Sequence, residues 1–149
     1  FIKLIEGCGA LVVCDRYCYG AVEARQPIVI EEGQDVLDAI ARHYLKTSNC
    51  PRFMPQDEMR VRKQRLAELC RDYKADGIIV TSNKFCEYWS YERVIDTVIM
   101  RRDYGIPVCA IEKQDITAAS GELRTRIQAF VESIEIKQIQ EGSKNGKKI

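Results

Sequence analysis

The sequence predicts an α/β fold, with a Rossmann-like or flavodoxin-like parallel sheet covered by helices on both faces. Short apolar runs without polar alternation favour strands that are buried on both faces. Helical patterns lie between those runs, as in a parallel sheet built from strand–helix–strand units. The length of 149 residues suits one domain. The predicted strands are residues 10–14, 77–81 and 106–111.

Helical periodicity accounts for most of the chain between the strands. The first residues are typical of the back half of a helix that closes at Gly7 or Gly9. Further helices are predicted at about residues 34–45, 57–74, 88–104 and 121–136. Apolar side chains at helical spacing predict their buried faces, in chain order: Leu37, Ile40, Ala41 and Tyr44; Leu66, Leu69, Cys70 and Tyr73; Tyr91, Val94, Ile95 and Val98; Leu123, Ile127, Phe130, Val131 and Ile134.

The domain organisation is predicted from the two ends of this pattern. The chain opens within a helix, with no strand ahead of it and no initiator Met, so we expect a first βα unit that is truncated at its N-terminus. Residues 1–136 are predicted to be the C-terminal α/β domain of a larger subunit. Residues 137–149 are polar, and the last of them show no periodic spacing of apolar side chains. They are predicted to be a disordered tail.

Charge and composition argue against several classes of protein. The 23 basic and 22 acidic residues are well mixed, which argues against a nucleic-acid surface. The basic stretch at residues 60–65 is interpreted as a solvated helix face. No apolar run is long enough to span a bilayer and no signal peptide is visible. The seven cysteines lack the spacing of a disulfide framework, which indicates the reducing cytoplasm. The sequence contains no C-x-x-C pair, so the motif of a self-contained metal site is absent.

Cys86 is the strongest candidate for a functional residue. It follows a buried strand at residues 78–80 and precedes a helix that begins near Glu87. Ligands of open α/β sheets bind at the carboxyl ends of strands, beside helix N-termini. The partial positive charge there favours a thiolate, the form that binds metals or attacks electrophiles. The pattern alone leaves metal binding, nucleophilic catalysis and a purely structural role open.

Five segments carry a resemblance to a known family. They are IEGCGALVVCDRYCYG, LDAIARHYLKTSNCP, DGIIVTSNKFCEYW, IPVCAIEKQD and SGELRTRIQAFVE. A buried strand that leads to Phe-Cys, followed by Gly-x-Leu-Arg-Thr-Arg-x-x-Ala-Phe, is more specific than a general Rossmann pattern. The chain resembles the C-terminal domain of the 2-hydroxyacyl-CoA dehydratase family, which includes benzoyl-CoA reductase subunits and double-cubane cluster proteins. The resemblance extends to about Ser133.

The resemblance implies a cofactor, a reaction and a set of partners. Cys86 would be one of three cysteine ligands of a [4Fe-4S] cluster, the other two coming from upstream domains, and the isolated chain would hold no cluster. The reaction would eliminate water from a 2-hydroxyacyl-CoA through a ketyl radical. An ATP-dependent iron–sulfur activator protein would supply the electron, and a second dehydratase subunit would complete a heterodimer. The polar Thr81, Ser82 and Asn83 could hydrogen-bond the cluster sulfurs.

Other readings remain open. A benzoyl-CoA reductase-type or double-cubane reductase subunit shares this domain. A flavodoxin-like nucleotide-binding module would need a Gly-rich phosphate loop after the first strand, and residues 15–20 contain none. A non-catalytic Rossmann-like binding or dimerisation domain would keep the fold without the chemistry.

Several weaker candidates complete the set. Cys18 could approach the same sheet edge as a further ligand or a lining residue, with an ordinary loop residue as the alternative, and Tyr19 stands where the family usually has Thr. Cys50, before Pro51, is interpreted as a loop residue, and His43 as a surface or boundary residue. Arg124 and Arg126 at the start of the last helix are interpreted as ion-pair partners of Glu122 or Glu112, with contact to a CoA phosphate as the functional alternative. Core positions are predicted for Cys8, Cys14, Cys70 and Cys109.

Overall fold

The computed structural model describes residues 1–17, 27–47, 50, 58–113 and 121–145. Its helices and strands are α1 (Ile2–Glu6), α2 (Val36–Thr47), α3 (Met59–Asp72), β1 (Ile78–Asn83), α4 (Glu87–Tyr104), β2 (Val108–Lys113) and α5 (Gly121–Asn145). The two strands pair in parallel, in a register that runs from Ile78 opposite Val108 to Asn83 opposite Lys113. The α/β class and the parallel sheet are thus confirmed.

Helices cover both faces of this sheet, as a parallel sheet requires. On one face, α3 and α4 pack on the strands around a core of Leu66, Cys70, Val80, Met100 and Val108. On the other face, α1 and α5 enclose a core of Ile5, Ile111 and Ile127. Neighbouring residues of each strand alternate between the two cores, which explains why β1 begins with three apolar residues and β2 with four.

The crossover from β1 to β2 runs through α4, whose ends are set by local backbone signals. The helix begins after Cys86, which has an extended conformation, and ends at Gly105 in the left-handed region with φ 67°. Glycine adopts that conformation without steric cost, which is why it often terminates helices. The amide of Ile106 then donates to the carbonyl of Met100 at 3.0 Å, and the chain enters β2.

The predicted first strand at residues 10–14 is wrong, because this segment joins no ladder among the described residues. Ala10 and Val12 pack against the core on the α1 and α5 face, whereas Leu11 is exposed. The segment therefore alternates as a strand would and packs against the core through its side chains, without strand pairing among the described residues.

The predicted buried face of α4 is also wrong. Tyr91, Val94 and Val98 lie on the exposed side of the helix. The side turned to the interior carries Glu92, Asp96 and Met100 instead. The apolar spacing correctly indicated a helix, but the buried acids have partners on α3 that reverse its orientation, as described below.

Two further helices differ from expectation. In α2, Ala39 is buried whereas Leu37 and Tyr44 of the predicted face are exposed. The last helix continues to Asn145 instead of ending near residue 136. The extension is held by Gln138, which donates to Asp76 at 2.8 Å. Within the described residues, no helix is both long enough and apolar enough to cross a bilayer.

We expect Gly77→Ala to lower the free energy of unfolding by about 1–3 kcal/mol through overpacking. A Cβ at Gly77 would lie 2.8 Å from both the Ile134 Cδ1 and the Phe130 Cζ atoms of α5. Gly142→Ala is the matched control, since a Cβ there meets nothing within 4 Å. It should stabilise α5 by about 0.5–1 kcal/mol. Urea unfolding of both variants measures the contrast, and equal effects would contradict the close approach.

Candidate functional site

Cys86 lies at the carboxyl end of β1, immediately before the first turn of α4. Its amide donates to the carbonyl of Asn83 at 3.1 Å, and its own carbonyl accepts from the amide of Ser90 at 2.9 Å. The side chain makes no capping hydrogen bond, and the thiol is free and half-buried. The backbone therefore fixes the position of Cys86, while its sulfur stays available beside the positive end of a helix.

The residue before Cys86 has an unusual backbone conformation. Phe85 adopts φ 65°, in the left-handed region, and its ring is 91% exposed. That conformation costs a non-glycine residue roughly 1–2 kcal/mol. Burial does little to offset this cost at such exposure, and the Nζ of Lys84 lies 5.5 Å from the ring centroid. Backbone strain of this kind clusters at functional sites.

Polar and cationic groups surround the end of the sheet. Ser82 is buried, and its Oγ has no hydrogen-bond partner among the described residues. Thr81 is half-buried and Asn83 is exposed. Lys113 lies opposite Asn83 in the register, and desolvation lowers the pKa of its amine. Its Nζ also lies 4.3 Å from the ring centroid of Phe1.

A metal site cannot be completed from the described residues. No three His, Cys, Asp or Glu side chains within them come together closely enough to hold an ion. Cys86 therefore belongs to no complete set of ligands within the described residues. The weaker candidate Cys18 lies outside the described residues.

The other cysteines are packed in ways that differ from Cys86. Cys70 is buried in the core on the α3 and α4 face, and Cys8 and Cys109 pack against the core on the opposite face. Burial raises the pKa of Cys70 and of Cys109, so both thiols stay protonated. Cys14 is half-buried and its Sγ donates to the carbonyl of Asp15 at 3.4 Å. Cys50 is half-buried outside any helix or strand.

The arginines of α5 have structural partners. Arg124 Nη1 donates to the carbonyl of Gly7 at 3.2 Å, at the end of α1. Arg126 Nη2 donates to the carbonyl of Ala110 at 2.8 Å, and its Nη1 lies 4.0 Å from a Glu122 carboxylate oxygen. The expected pairing with Glu122 is thus present. Glu112 instead pairs with Arg93 of α4 at 3.2 Å.

His43 is half-buried on α2, with its ring centroid 5.5 Å from that of the neighbouring Tyr44. No metal-binding group forms around it within the described part of the chain.

A buried ionic network joins α3 to α4. Arg62, Lys63, Glu92 and Asp96 are each at most 4% exposed. Arg62 Nε donates to Glu92 at 2.9 Å, and Lys63 Nζ donates to Glu92 and, at 2.7 Å, to Asp96. The interpretation of residues 60–65 as a solvated face is therefore wrong for Arg62 and Lys63.

The network has a pronounced electrostatic signature. Burial alone would raise the pKa of Glu92, but the hydrogen bond from Lys63 and the charges of Arg62 and Lys63 outweigh it, so the pKa is lowered. Arg16 faces the same charges: burial, reinforced by Arg62, lowers its pKa to about 10. The network was missed because a basic run is usually solvated. The available signal was an acidic pair, Glu92 and Asp96, spaced four residues apart on one helix.

The comparisons with known proteins point to one family. The family profile described as "2-hydroxyglutaryl-CoA dehydratase, D-component" matches residues 1–134. The chain is 32% identical over 133 residues to the putative dehydratase subunit YjiM of Escherichia coli (strain K12). It is 27% identical over 136 residues to the (R)-phenyllactyl-CoA dehydratase beta subunit of Clostridium sporogenes.

The chain belongs to the 2-hydroxyglutaryl-CoA dehydratase D-component family, since the profile spans most of its length. Each of the two alignments takes in 89% of this chain but only 33% and 34% of the respective relatives. The chain thus spans about a third of the length of the curated relatives it matches. The family resemblance read from the motifs is confirmed.

We expect Glu92→Gln to lower the free energy of unfolding by about 3–5 kcal/mol, because it leaves buried cations without a compensating charge. Asp38→Asn is the matched control, because it removes an exposed carboxylate that pairs with Arg42 at 2.7 Å, and it should change stability little. Urea unfolding near neutral pH measures both. Since the native pKa of Glu92 is lowered, its contribution should be present above about pH 4.3 and be lost on acidification. A pH-independent difference between wild type and Glu92→Gln would contradict this.

Replacing Phe85 should reveal the strain in its backbone. In an ordinary conformation, glycine is less stable than alanine, but at φ 65° the order should reverse. We therefore expect Phe85→Gly to be more stable than Phe85→Ala by about 1 kcal/mol in thermal or urea unfolding. Both variants remove the same exposed ring, so their difference isolates the backbone. An alanine variant that is equal or more stable would contradict the strain.

Proposed function

We propose that the chain is one domain of an iron–sulfur 2-hydroxyacyl-CoA dehydratase subunit, and that Cys86 gives one thiolate to its [4Fe-4S] cluster. The observation that carries this proposal is the placement of Cys86: a free sulfur at the carboxyl end of β1 and the N-terminus of α4. Membership of the dehydratase family supports the reaction class. The remaining ligands would come from outside this chain.

The residues around Cys86 fit an anionic cluster. Thiolate-ligated iron–sulfur clusters carry negative charge, and the amides at the start of α4 present the positive end of the helix dipole. Ser82 has a buried hydroxyl with no partner among the described residues. Lys113 adds a cationic side chain at the neighbouring strand end.

These residues would act by binding and orientation. Cys86 would hold the metal centre, and the hydrogen bonds of its backbone would fix the direction of its Cα–Cβ bond. The Ser82 hydroxyl and the α4 amides would stabilise negative charge, which raises a reduction potential. A cluster held by Cys86 would supply one-electron chemistry for a ketyl-radical elimination and Lewis acidity for the departing hydroxyl.

The proposed partners follow from the family. The relative from Clostridium sporogenes is named as a beta subunit. For this protein we propose a second dehydratase subunit, an ATP-dependent iron–sulfur activator protein and an acyl-CoA substrate, all in the cytoplasm. Against a non-catalytic dimerisation domain, the free Cys86 thiol and the strained Phe85 favour a working site.

Anaerobic reconstitution of the full-length protein tests the ligand assignment. We expect Cys86→Ser to lose most of its iron and to change the spectrum of what remains, since serine replaces a thiolate ligand. Cys8→Ser is the matched control, because Cys8 is also half-buried but packs against the core. It should retain iron.

Two outcomes would contradict the proposal. An unchanged iron content and spectrum in Cys86→Ser would remove Cys86 from the ligand set. A stoichiometric cluster formed by the 149-residue chain alone would contradict the proposal that further ligands lie outside it.

A further inference from the structure

The helix that follows Cys86 presents its apolar side outward. Its outer stripe consists of Tyr88, Tyr91, Val94 and Val98, which recur at helical spacing. Tyr91 is 64% exposed, Val94 57% and Val98 51%. A helix at the surface of a domain normally shows the opposite arrangement, with charges outward and apolar residues inward.

This inversion is built into the packing of the domain. The inner face of α4 is occupied by Glu92 and Asp96, which are held by the buried cations of α3. Rotating α4 to bury the outer stripe would break those ion pairs and expose the core residue Met100. Rotation of α4 therefore cannot bury the stripe, and neighbouring exposed apolar residues of this kind mark an interaction surface.

The outer stripe adjoins the candidate site along the chain. It begins at Tyr88, two residues after Cys86, and the exposed Phe85 immediately precedes the cysteine. Any polypeptide that brings further ligands to a cluster at Cys86 must approach these side chains. The chain also spans only about a third of its relatives' length, so a large part of such a protein lies outside it.

We infer that the outer stripe of α4 is the surface on which another domain of the same polypeptide docks. The inference rests on the proposed function for the identity of the docking domain. The docking domain covers Tyr91, Val94 and Val98 with an apolar face. The exposed Phe85 ring is a contact made on docking, which accounts for an aromatic residue in a backbone conformation that favours glycine.

Carbene footprinting of the full-length protein, performed anaerobically with mass-spectrometric readout, tests the docking surface. In this chain Tyr91 is more exposed than Tyr104, at 64% against 41%. Docking reverses that order, so Tyr91 should be labelled several-fold more slowly than Tyr104. Faster labelling of Tyr91 than of Tyr104 in the full-length protein would overturn the inference.

A pair of matched variants checks the location of the surface. Val98→Lys places a charge on the outer stripe, about 18 Å along the helix from Cys86 and therefore clear of any cluster ligand. It should raise the labelling of Tyr91 several-fold. Ile139→Lys, at an exposed apolar position of α5, should leave that labelling unchanged. Equal effects of the two variants would overturn the assignment of the surface to α4.

The occupant is tested by repeating the measurement on the isolated full-length subunit. Protection of Tyr91 that persists there supports a domain of the same polypeptide. Protection that appears only with a second subunit or at self-associating concentrations overturns this choice of occupant.

The cluster proposal can fail separately from the docking surface. If Cys86→Ser keeps its iron while Tyr91 stays protected, the ligand assignment fails and the surface stands. If Cys86→Ser loses its iron while Tyr91 of the wild type is labelled freely, the surface fails and the ligand assignment stands.

Discussion

The ion pairs between α3 and α4 set the arrangement on which the rest of this domain depends. Lys63 bridges Glu92 and Asp96, and Arg62 adds a second hydrogen bond to Glu92, all in the protein interior. Buried charges of this kind gain little net stability over an apolar core, but each is costly to leave unpaired. The network therefore permits one rotational setting of α4 and penalises the others.

This orientation of α4 has two consequences for the surface of the domain. Because α4 cannot turn about its axis, the backbone at its N-cap residue Cys86 is fixed, and with it the direction of the Cys86 Cα–Cβ bond. For the same reason the tyrosines and valines of α4 face outward. The buried ion pairs thus define two features of the surface, a free thiol and the outer stripe of α4.

The sequence predicted those elements whose signal is local. Both described strands, the turn at Gly105 and the buried side of α5 at Ile127 follow from apolar runs, a helix terminator and periodicity. The outward face of α4 was not predictable in this way, because periodicity reveals an apolar side without indicating which neighbour it meets. Lys63 and Asp96 are 33 residues apart, so their pairing is a tertiary fact that overrides the local pattern. The segment at residues 10–14 failed for a related reason: an apolar run predicts burial, and burial does not require strand pairing.

The candidate site was predictable in position but not in its local strain. Cys86 was found from a strand, a helix start and a family motif, whereas the conformation of Phe85 left no trace in the sequence pattern. A glycine at that position would adopt φ 65° more easily, and the exposed Phe85 ring removes little apolar area from water. A bulky, exposed residue in a strained conformation is expected where a contact with another domain offsets the cost of the strain. Phe85 therefore connects the two proposed features, since its side chain flanks the proposed ligand Cys86 and borders the outer stripe of α4.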